Sequence, residues 1–348
     1  MSPSPIALAQ SDRPHDQLGR PLHDLRISVM DRCNFRCPYC MPETTYGEHF
    51  KFLGNDERLS FDEIERLARI AASLGVSKLR LTGGEPLLRP KLADLVARLR
   101  KLAGVDDLAM TTNGVLLGRH ATELRDAGLD RVTISLDTLD PAVFHRMSGG
   151  RGALEDVLAG IEAAQAAGFP KGIKLNAVIQ RGVNDHTALD LVERFRSSGI
   201  VVRFIEYMDV GNRNDWASEA VVPSRALVEQ INARWPLEAV TPQYAGEVAA
   251  RYRFRDGIGE IGMISSVSNP FCGGCSRARL SSEGVLYTCL FATKGADLRT
   301  PLRHGGDDEA LRDLLRKVWL GRADRYSEER AARRQERPRK IEMHYIGG

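Results

Sequence analysis

The sequence contains few aromatic residues, almost no excess of either charge, and no long apolar run. Aromatic side chains make up 6% of the 348 residues, and the formal net charge at pH 7 is +3. A charge balance this close to zero gives no reason to expect a nucleic acid partner. No stretch approaches the roughly 18 consecutive apolar residues of a transmembrane helix, so we expect no association with a membrane.

The N-terminal segment also lacks the features of an export signal. The apolar region of a signal peptide needs roughly 7–15 residues, but the stretch Ile6 to Ala9 has only four and follows no basic residue. Residues 1–17 are instead rich in Pro, Ser and Asp. We therefore expect a disordered N-terminal lead-in over 1–17 and a cytoplasmic protein.

The six cysteines form two groups of three, with none left over. The first group is Cys33, Cys37 and Cys40, and the second is Cys272, Cys275 and Cys289. Disulfide bonds are rare in a reducing cytosol, where closely spaced cysteines more often bind metal or take part in catalysis. The grouping therefore favours two metal centres.

Short strand-like runs alternate with amphipathic segments through the first two thirds of the chain. Strands are predicted at 26–29, 78–82, 107–111, 131–136, 173–179 and 201–206, and helices near 60–74, 91–102, 117–127, 152–167 and 185–197. Ser60 and Glu63 form a capping box that starts one helix, and Gly75 is suited to end it. Six β/α repeats predict an α/β fold with a parallel sheet. Periodicity alone leaves open both a doubly wound sheet and a partial TIM-type barrel.

The pattern changes near Trp235 and Pro236. Residues 237–290 have the pattern of short strands separated by turns, and charged helices follow at about 307–319 and 326–335. The chain is long enough for about two domains of roughly 150 residues each. We therefore predict a barrel domain over 18–232 and a smaller C-terminal α+β domain over 233–348, which carries the second cysteine group.

The first cysteine group lies in a loop that follows the first predicted strand. In parallel β/α folds, ligands bind at this carboxyl end of the strands. The spacing C-x3-C-x2-C supplies three thiolates, whereas a [4Fe–4S] cluster ordinarily takes four, so one iron would keep an open coordination position. A structural zinc site is the alternative, but it would need a fourth ligand, and His49 is the nearest histidine.

The cysteine loop and its flanks resemble a known superfamily. C-x3-C-x2-C with an aromatic residue, Tyr39, before the last cysteine is similar to the signature of radical S-adenosylmethionine (SAM) enzymes. The longer stretch from Leu25 to Pro42 resembles the GTP 3′,8-cyclase family, and the resemblance extends from about Asp16 to Gly348. Met30 departs from the threonine that is usual at its position in the family, which alters neither a ligand nor the cysteine spacing.

The resemblance implies the fold, the cofactors and the reaction. It implies a partial (βα)6 TIM-type barrel, two [4Fe–4S] clusters, and SAM as the source of a 5′-deoxyadenosyl radical. The implied reaction converts GTP to (8S)-3′,8-cyclo-7,8-dihydroguanosine 5′-triphosphate, the first step of molybdenum cofactor (molybdopterin) biosynthesis. The resemblance further implies cyclic pyranopterin monophosphate synthase as the next enzyme, an electron donor, and a homodimer.

The resemblance also implies particular site residues. Those that match SAM contacts are Tyr39, Gly84, Ser135 and Met208, and those that match GTP contacts are Arg26, Arg80, Thr111, Lys174, Arg277, Ala278 and Arg279. Two observations from the residues themselves support this assignment. A Gly-Gly pair lets backbone approach a ligand closely, and two arginine forks beside the second cysteine group suit an anionic nucleotide.

The second cysteine group, with the spacing C-x2-C-x13-C, also lacks a fourth cysteine. A zinc ribbon would need another ligand, and His304 is the later histidine close enough in sequence. The resemblance instead implies a second cluster whose open iron contacts the guanine of GTP. It also implies that the Gly347-Gly348 tail enters the active site, although such a tail could simply be frayed.

Two rival functions remain open at this point. One is a radical SAM enzyme that modifies a peptide and carries an auxiliary cluster, although such enzymes usually have more than three C-terminal cysteines. The other is a non-catalytic module that binds zinc and nucleic acid. The kind of bound metal distinguishes the second rival from the enzymes. The rival would be a colourless zinc protein, whereas either enzyme would be a brown, oxygen-sensitive iron protein.

Overall fold

A computed structural model describes residues 13–214, 216–242, 244, 246–336 and 339–348. Within these residues, twelve strands form one sheet. The strands are β1 Asp24–Ser28, β2 Lys78–Thr82, β3 Asp107–Thr112, β4 Arg131–Ser135, β5 Ile173–Ile179, β6 Val201–Glu206, β7 Leu237–Val240, β8 Ala250–Phe254, β9 Glu260–Ile264, β10 Arg277–Leu280, β11 Val285–Tyr287 and β12 Ala296–Asp297.

The first six strands are parallel neighbours in chain order, as the β/α repeats predict. Strand β10 pairs in parallel with β1, and β9 pairs in parallel with β6, so eight parallel strands lie side by side. Side chains from all eight strands line one central cavity. The sheet therefore curves around that cavity, which is the arrangement of a partial TIM-type barrel.

The C-terminal strands extend this sheet at both ends instead of forming a sheet of their own. An edge strand leaves backbone N–H and C=O groups unpaired, and β10 and β9 satisfy those of β1 and β6. Antiparallel strands β11 and β12 continue beyond β10, and β8 and β7 continue beyond β9. The separate C-terminal α+β domain over 233–348 is thus not confirmed, and the boundary at 232 stays a prediction.

The described residues also form eleven α-helices. They are α1 Glu43–Tyr46, α2 Phe61–Ser73, α3 Leu92–Arg100, α4 Leu117–Asp126, α5 Pro141–Met147, α6 Leu154–Ala167, α7 Ala188–Phe195, α8 Ser224–Arg234, α9 Arg299–Arg303, α10 Asp308–Leu320 and α11 Tyr326–Glu336. The capping box at α2 is confirmed, because Ser60 Oγ accepts from Glu63 N at 3.1 Å while Glu63 Oε2 accepts from Ser60 N at 2.7 Å. Gly75 follows α2 with φ +98°.

The sequence interpretation missed α5. Asp140 caps it by accepting hydrogen bonds from the backbone of Ala142 and Val143, and Pro141 occupies its first position. An Asp-Pro pair is a helix-start signal that would have found it.

Residues 1–12 of the predicted lead-in lie outside the described residues. Residues 13–17 of the segment are described, and Asp16 is buried with 6% of its surface exposed. Its carboxylate pairs with Arg20 at 2.6 Å and with Arg322 at 3.2 Å. Asp16 therefore ties the end of the segment 1–17 to Arg322 in the C-terminal part of the chain. No helix in the described part of the chain is long and apolar enough to cross a membrane.

Candidate functional site

Two adjoining cavities lie inside the curved sheet, one beside each cysteine group. The smaller, of about 150 Å³, is lined by Cys33, Cys37 and Cys40. The larger, of about 300 Å³, is lined by Cys272, Cys275 and Cys289. The residues that line both are Tyr39, Thr111, Ser135, Asp137, Met343 and Gly348. The two cysteine groups therefore face one continuous space.

The first cysteine loop is held in shape by hydrogen bonds to its own backbone. The guanidinium of Arg36 donates to the carbonyl oxygens of Cys33 at 2.7 Å, Phe35 at 2.8 Å and Tyr46 at 2.7 Å. The Cys40 N–H donates to the Cys37 carbonyl at 2.9 Å. These bonds hold the loop that carries the three thiols in one conformation.

The Gly-Gly turn after β2 packs directly on this loop. Gly84 N donates to the Met30 carbonyl at 2.6 Å, and Glu85 N donates to the Arg32 carbonyl at 2.7 Å. A Cβ on Gly84 would collide with the Arg32 carbonyl. The turn contacts only the backbone of Met30, whose side chain is buried beside Arg58. The presence of methionine in place of the usual threonine therefore leaves this backbone contact intact.

Glu85 ties the ends of β2 and β3 to the cysteine loop, and sequence reasoning missed it. Its buried carboxylate accepts from Thr112 Oγ1 at 2.7 Å and from Asn113 N at 2.8 Å. Burial raises the pKa of Glu85 to about 7. The Asn113 side chain then donates to Asn34 Oδ1 at 2.7 Å. An acidic residue directly after the Gly-Gly pair was the signal that could have identified it.

The thiols fit iron–sulfur clusters in their number and in their environment. All six cysteines are free. Burial raises the pKa values of Cys33 and Cys289 to about 12. Cationic iron supplies the charge that lets such buried thiols bind as thiolates. At Cys275, burial raises the pKa, but the guanidinium groups of Arg277 and Arg322 outweigh it and lower the value to about 6.

The described residues do not assemble a set of zinc ligands at either cysteine group. Over the described residues, no set of three or more His, Cys, Asp or Glu side chains is placed to hold a single metal ion. His304 instead bonds through its ring to the Thr300 carbonyl at 2.8 Å. Three thiols spread around a cavity suit a cluster, because its cysteines bind different irons.

The four residues predicted to contact SAM lie in the two cavities. Gly84 lines the smaller cavity, Met208 lines the larger one, and Tyr39 and Ser135 line both. The Tyr39 hydroxyl donates to Asp137 Oδ2 at 2.7 Å. The carboxylate of Asp137, which the sequence interpretation did not include, therefore orients the aromatic ring of the cysteine motif.

Six of the seven residues predicted to contact GTP line the larger cavity. They are Arg26, Arg80, Thr111, Lys174, Arg277 and Arg279. Ala278 is the exception, because its side chain is 1% exposed and belongs to the hydrophobic core. Strand alternation explains the difference, since Ala278 points to the opposite face of β10 from its two arginine neighbours.

Arg203 on β6 also lines the larger cavity, and sequence reasoning missed it. Its Nη2 donates to Thr133 Oγ1 at 3.3 Å, and Arg80 Nη1 donates to the same oxygen at 3.1 Å and to Thr111 Oγ1 at 2.9 Å. A basic residue at an inward position of a predicted barrel strand was the available signal.

Most cations of the larger cavity have no carboxylate partner. Lys78 and Arg131 at its base pair with acidic residues. By contrast, no carboxylate in the described residues lies within 4.0 Å of the charged groups of Arg26, Arg80, Lys174, Arg203 or Arg279. Burial and neighbouring cations lower the pKa of Lys174 to about 7 and those of Arg80 and Arg203 to about 9. A polyanion in the cavity would relieve this repulsion.

The two arginines of β10 contact different partners. The Nε and Nη2 atoms of Arg277 donate to Cys275 Sγ at 3.3 and 3.2 Å. Arg279 Nη1 donates to the Gly347 carbonyl. Gly347 has φ +71°, and a Cβ there would overlap the hydroxyl of Thr82. The tail is therefore packed into the site, and its last residue, Gly348, borders both cavities.

Comparison with known proteins defines the class of protein first. Residues 27–195 match the model of the Radical SAM superfamily, and residues 200–328 match that of Molybdenum Cofactor Synthesis C. Streptococcus suis SuiB, solved bound to its precursor peptide SuiA, has a TM-score of 0.50 at 20% identity, and the match covers 62% of this chain and 47% of SuiB. That likeness shows the fold alone. The cysteine loop and the parallel barrel thus belong to a radical SAM protein.

Full-length relatives then give the family. A GTP 3′,8-cyclase of Xanthomonas campestris pv. campestris (strain 8004) is 55% identical, with 96% of this chain and 97% of the relative covered. Those of Acidothermus cellulolyticus and Staphylococcus haemolyticus are 52% and 46% identical, with 96% of this chain and 98% of each relative covered. The chain belongs to the GTP 3′,8-cyclase family.

Proposed function

We propose that this chain converts GTP to (8S)-3′,8-cyclo-7,8-dihydroguanosine 5′-triphosphate, the first step of molybdenum cofactor biosynthesis. The observation that carries the proposal is the continuous space between two cysteine groups, lined on one side by cations that lack carboxylate partners. A radical cyclase needs both of these features. Such an enzyme must bind a nucleoside triphosphate, and it must place this substrate next to the cofactor that starts the reaction.

The residues divide the work between the two cavities. Cys33, Cys37 and Cys40 would hold the first [4Fe–4S] cluster, and the second group would hold the other. When bound, the first cluster supplies the electron for reductive cleavage of SAM. Tyr39, Gly84, Ser135 and Met208 surround the SAM molecule in this proposal. Because Ser135 and Tyr39 border both cavities, bound SAM would reach their junction, next to the substrate.

The cations of the larger cavity bind and orient GTP. Arg26, Arg80 and Lys174, together with Arg203, face the triphosphate from strands of the barrel. Their repulsion in the unliganded protein becomes attraction when phosphate oxygens enter, and guanidinium groups bind such oxygens in pairs. Arg277 and Arg279 approach from the side of the second cysteine group, where the guanine would lie, and Thr111 borders both ligands.

The wider setting follows from the same proposal. Residues 233–348 act as the unit that carries the second cluster and the Gly-Gly tail, although their strands complete the barrel sheet. The reaction requires an external electron donor, and cyclic pyranopterin monophosphate synthase consumes the product. The protein works in the cytoplasm as a homodimer. A peptide-modifying function is disfavoured, because such enzymes usually carry more than three C-terminal cysteines and this sequence has only three there.

The test separates the two cysteine groups by role. Variants with all three cysteines of one group replaced by Ala are incubated anaerobically with reductant, SAM and GTP. Loss of the first group should remove about four irons and abolish formation of 5′-deoxyadenosine, since a [4Fe–4S] cluster is the electron source. Loss of the second should also remove about four irons but leave SAM cleavage, while the cyclised nucleotide disappears from the mass spectrum. Full cyclase activity without the second group would refute the proposal.

A further inference from the structure

His344 lies in the C-terminal tail and lines the smaller cavity together with the first cysteine group. Its side chain is almost completely enclosed, with 5% of the residue exposed. The ring makes no hydrogen bond to any described residue, and Nδ1 is sealed from solvent without a partner. A buried polar group without a partner is costly, and an imidazole with neither nitrogen bonded to the protein has a hydrogen bond left to offer a ligand in the cavity.

The ring is held in place by the chain on both sides of it. Upstream, the Lys340 ammonium donates to the Asp209 carbonyl at 2.6 Å and to its carboxylate at 2.8 Å. Downstream, Ile346 is completely buried, and Gly347 accepts from Arg279. The His344 ring also packs edge-on against Tyr46, with 4.7 Å between ring centroids. These contacts hold the backbone on both sides of His344, and the packing on Tyr46 keeps the imidazole beside the cavity.

The surroundings determine which nitrogen carries the proton. Burial and the nearby Arg36 guanidinium lower the pKa of His344 to about 4, so the ring is neutral at pH 7. An orphaned buried N–H is rarer in proteins than an under-satisfied acceptor. The sealed Nδ1 is therefore the acceptor, and Nε2, which is not among the sealed atoms, carries the hydrogen of the residue that lines the cavity. The tail presents a hydrogen-bond donor to the space beside Cys33, Cys37 and Cys40.

We propose that His344 donates this hydrogen bond to the methionyl carboxylate of SAM and so acts as a positioning residue for the cofactor. The inference rests on the proposed placement of SAM at the first cysteine group. A carboxylate is favoured over a neutral acceptor for two reasons. Hydrogen bonds to a charged group are about twice as strong as neutral ones, and the Arg36 guanidinium, which pairs with Glu43 at 3.6 Å, is the charged group that acts on His344.

Two substitutions at this position separate hydrogen bonding from packing. His344→Phe keeps an aromatic ring against Tyr46 but has no donor, and His344→Gln keeps an N–H close to the position of Nε2. His304→Phe, at the exposed histidine that directly follows α9, is the matched control. Dissociation constants for SAM are measured anaerobically on each reconstituted protein, and iron content and the reduction potential of the cluster are measured without SAM.

We expect His344→Phe to weaken SAM binding by about 10- to 100-fold, the range for a lost hydrogen bond to a charged group. His344→Gln should recover most of the affinity, and His304→Phe should match the wild type. A dissociation constant for His344→Phe within twofold of wild type would overturn the inference. So would unchanged SAM affinity with a shifted reduction potential, because the ring would then donate to a cluster sulfide. If the variant lacking the first three cysteines still binds SAM, the placement of the cofactor is wrong instead.

Discussion

Replacement of Gly84 by Ala tests how tightly the Gly-Gly turn is fitted to the first cysteine loop. A Cβ at this position would lie 2.2 Å from the carbonyl oxygen of Arg32 and 3.0 Å from the amide nitrogen of Cys33. Both neighbours are backbone atoms, so no side-chain rotation can relieve the overlap. To restore a separation of even 3.0 Å, the Arg32 carbonyl would have to move by about 0.8 Å.

A backbone movement of this size affects both the stability of the protein and the assembly of the first cluster. Overpacking a rigid site costs about 1–3 kcal/mol, and we expect the upper part of this range because only backbone can yield. Cys33 follows Arg32 directly, so its sulfur moves as well, whereas metal–ligand distances tolerate only about 0.2 Å. Gly84→Ala should therefore lower the iron content by about half as the first cluster fails to assemble, and it should lower the free energy of unfolding.

The assay compares Gly84→Ala with Gly118→Ala by urea unfolding and by iron analysis after anaerobic reconstitution. Gly118 lies in α4, and a Cβ there would meet nothing within 4 Å. The control should gain about 0.5–1 kcal/mol because Ala is the better helix former. If Gly84→Ala unfolds at the urea concentration of the wild type and binds all its iron, the steric argument is refuted.

Two further predictions concern the substrate side of the site. Arg277→Ala and Arg279→Ala should each weaken GTP binding by roughly 1.5–3 kcal/mol, the range for hydrogen bonds to a charged group, while SAM cleavage without GTP survives; unchanged GTP affinity in both would contradict their assignment. Deletion of Gly347 and Gly348 removes one acceptor from Arg279, so the free energy of unfolding should fall by no more than about 1.5 kcal/mol. Cyclisation should nonetheless be impaired, and wild-type turnover would mean that the tail has no role in the reaction.

The strands of the barrel could be predicted because their signal is local. The alternation of apolar runs with amphipathic segments is determined by each element's own residues, and the six parallel strands lie where the pattern places them. The capping box at Ser60 is equally local. The pairing of the C-terminal strands could not be predicted from the sequence. The patterns of β10 and β9 indicate strands but do not specify which distant strands they pair with. Only the unpaired edges of β1 and β6 in the folded barrel select them.

The missed site residues are those whose function depends on contacts between distant segments. Glu85 and Asn113 lie on different loops, and Asp137 meets Tyr39 across 98 positions of sequence. His344 carries no motif at all. Its significance comes from enclosure, which the folded chain alone reveals. Arg203 differs from these, because its inward position on β6 follows from strand alternation and could have been read from the sequence.

The unpaired cations of the larger cavity imply that the substrate site lowers the free energy of unfolding of the unliganded protein. Lys174 shows this most directly, since burial and then Arg203, Arg131 and other cations lower its pKa to about 7. In the unfolded chain its pKa is about 10.4. Between these two values the unfolded state binds more protons than the folded state, so the stability of the unliganded protein should rise with pH from about 7 to 10.

Lys174→Met removes the titrating group and keeps most of its volume. The substitution should raise the free energy of unfolding of the unliganded protein at pH 7, by an amount on the order of a few kcal/mol or less. It should also flatten the rise in stability between pH 7 and 10, and it should weaken GTP binding. Urea unfolding at several pH values and nucleotide titration measure both effects on the same protein. A less stable Lys174→Met protein with unchanged GTP affinity would show that Lys174 is compensated within the fold. The excess of positive charge would then have to be explained without the triphosphate.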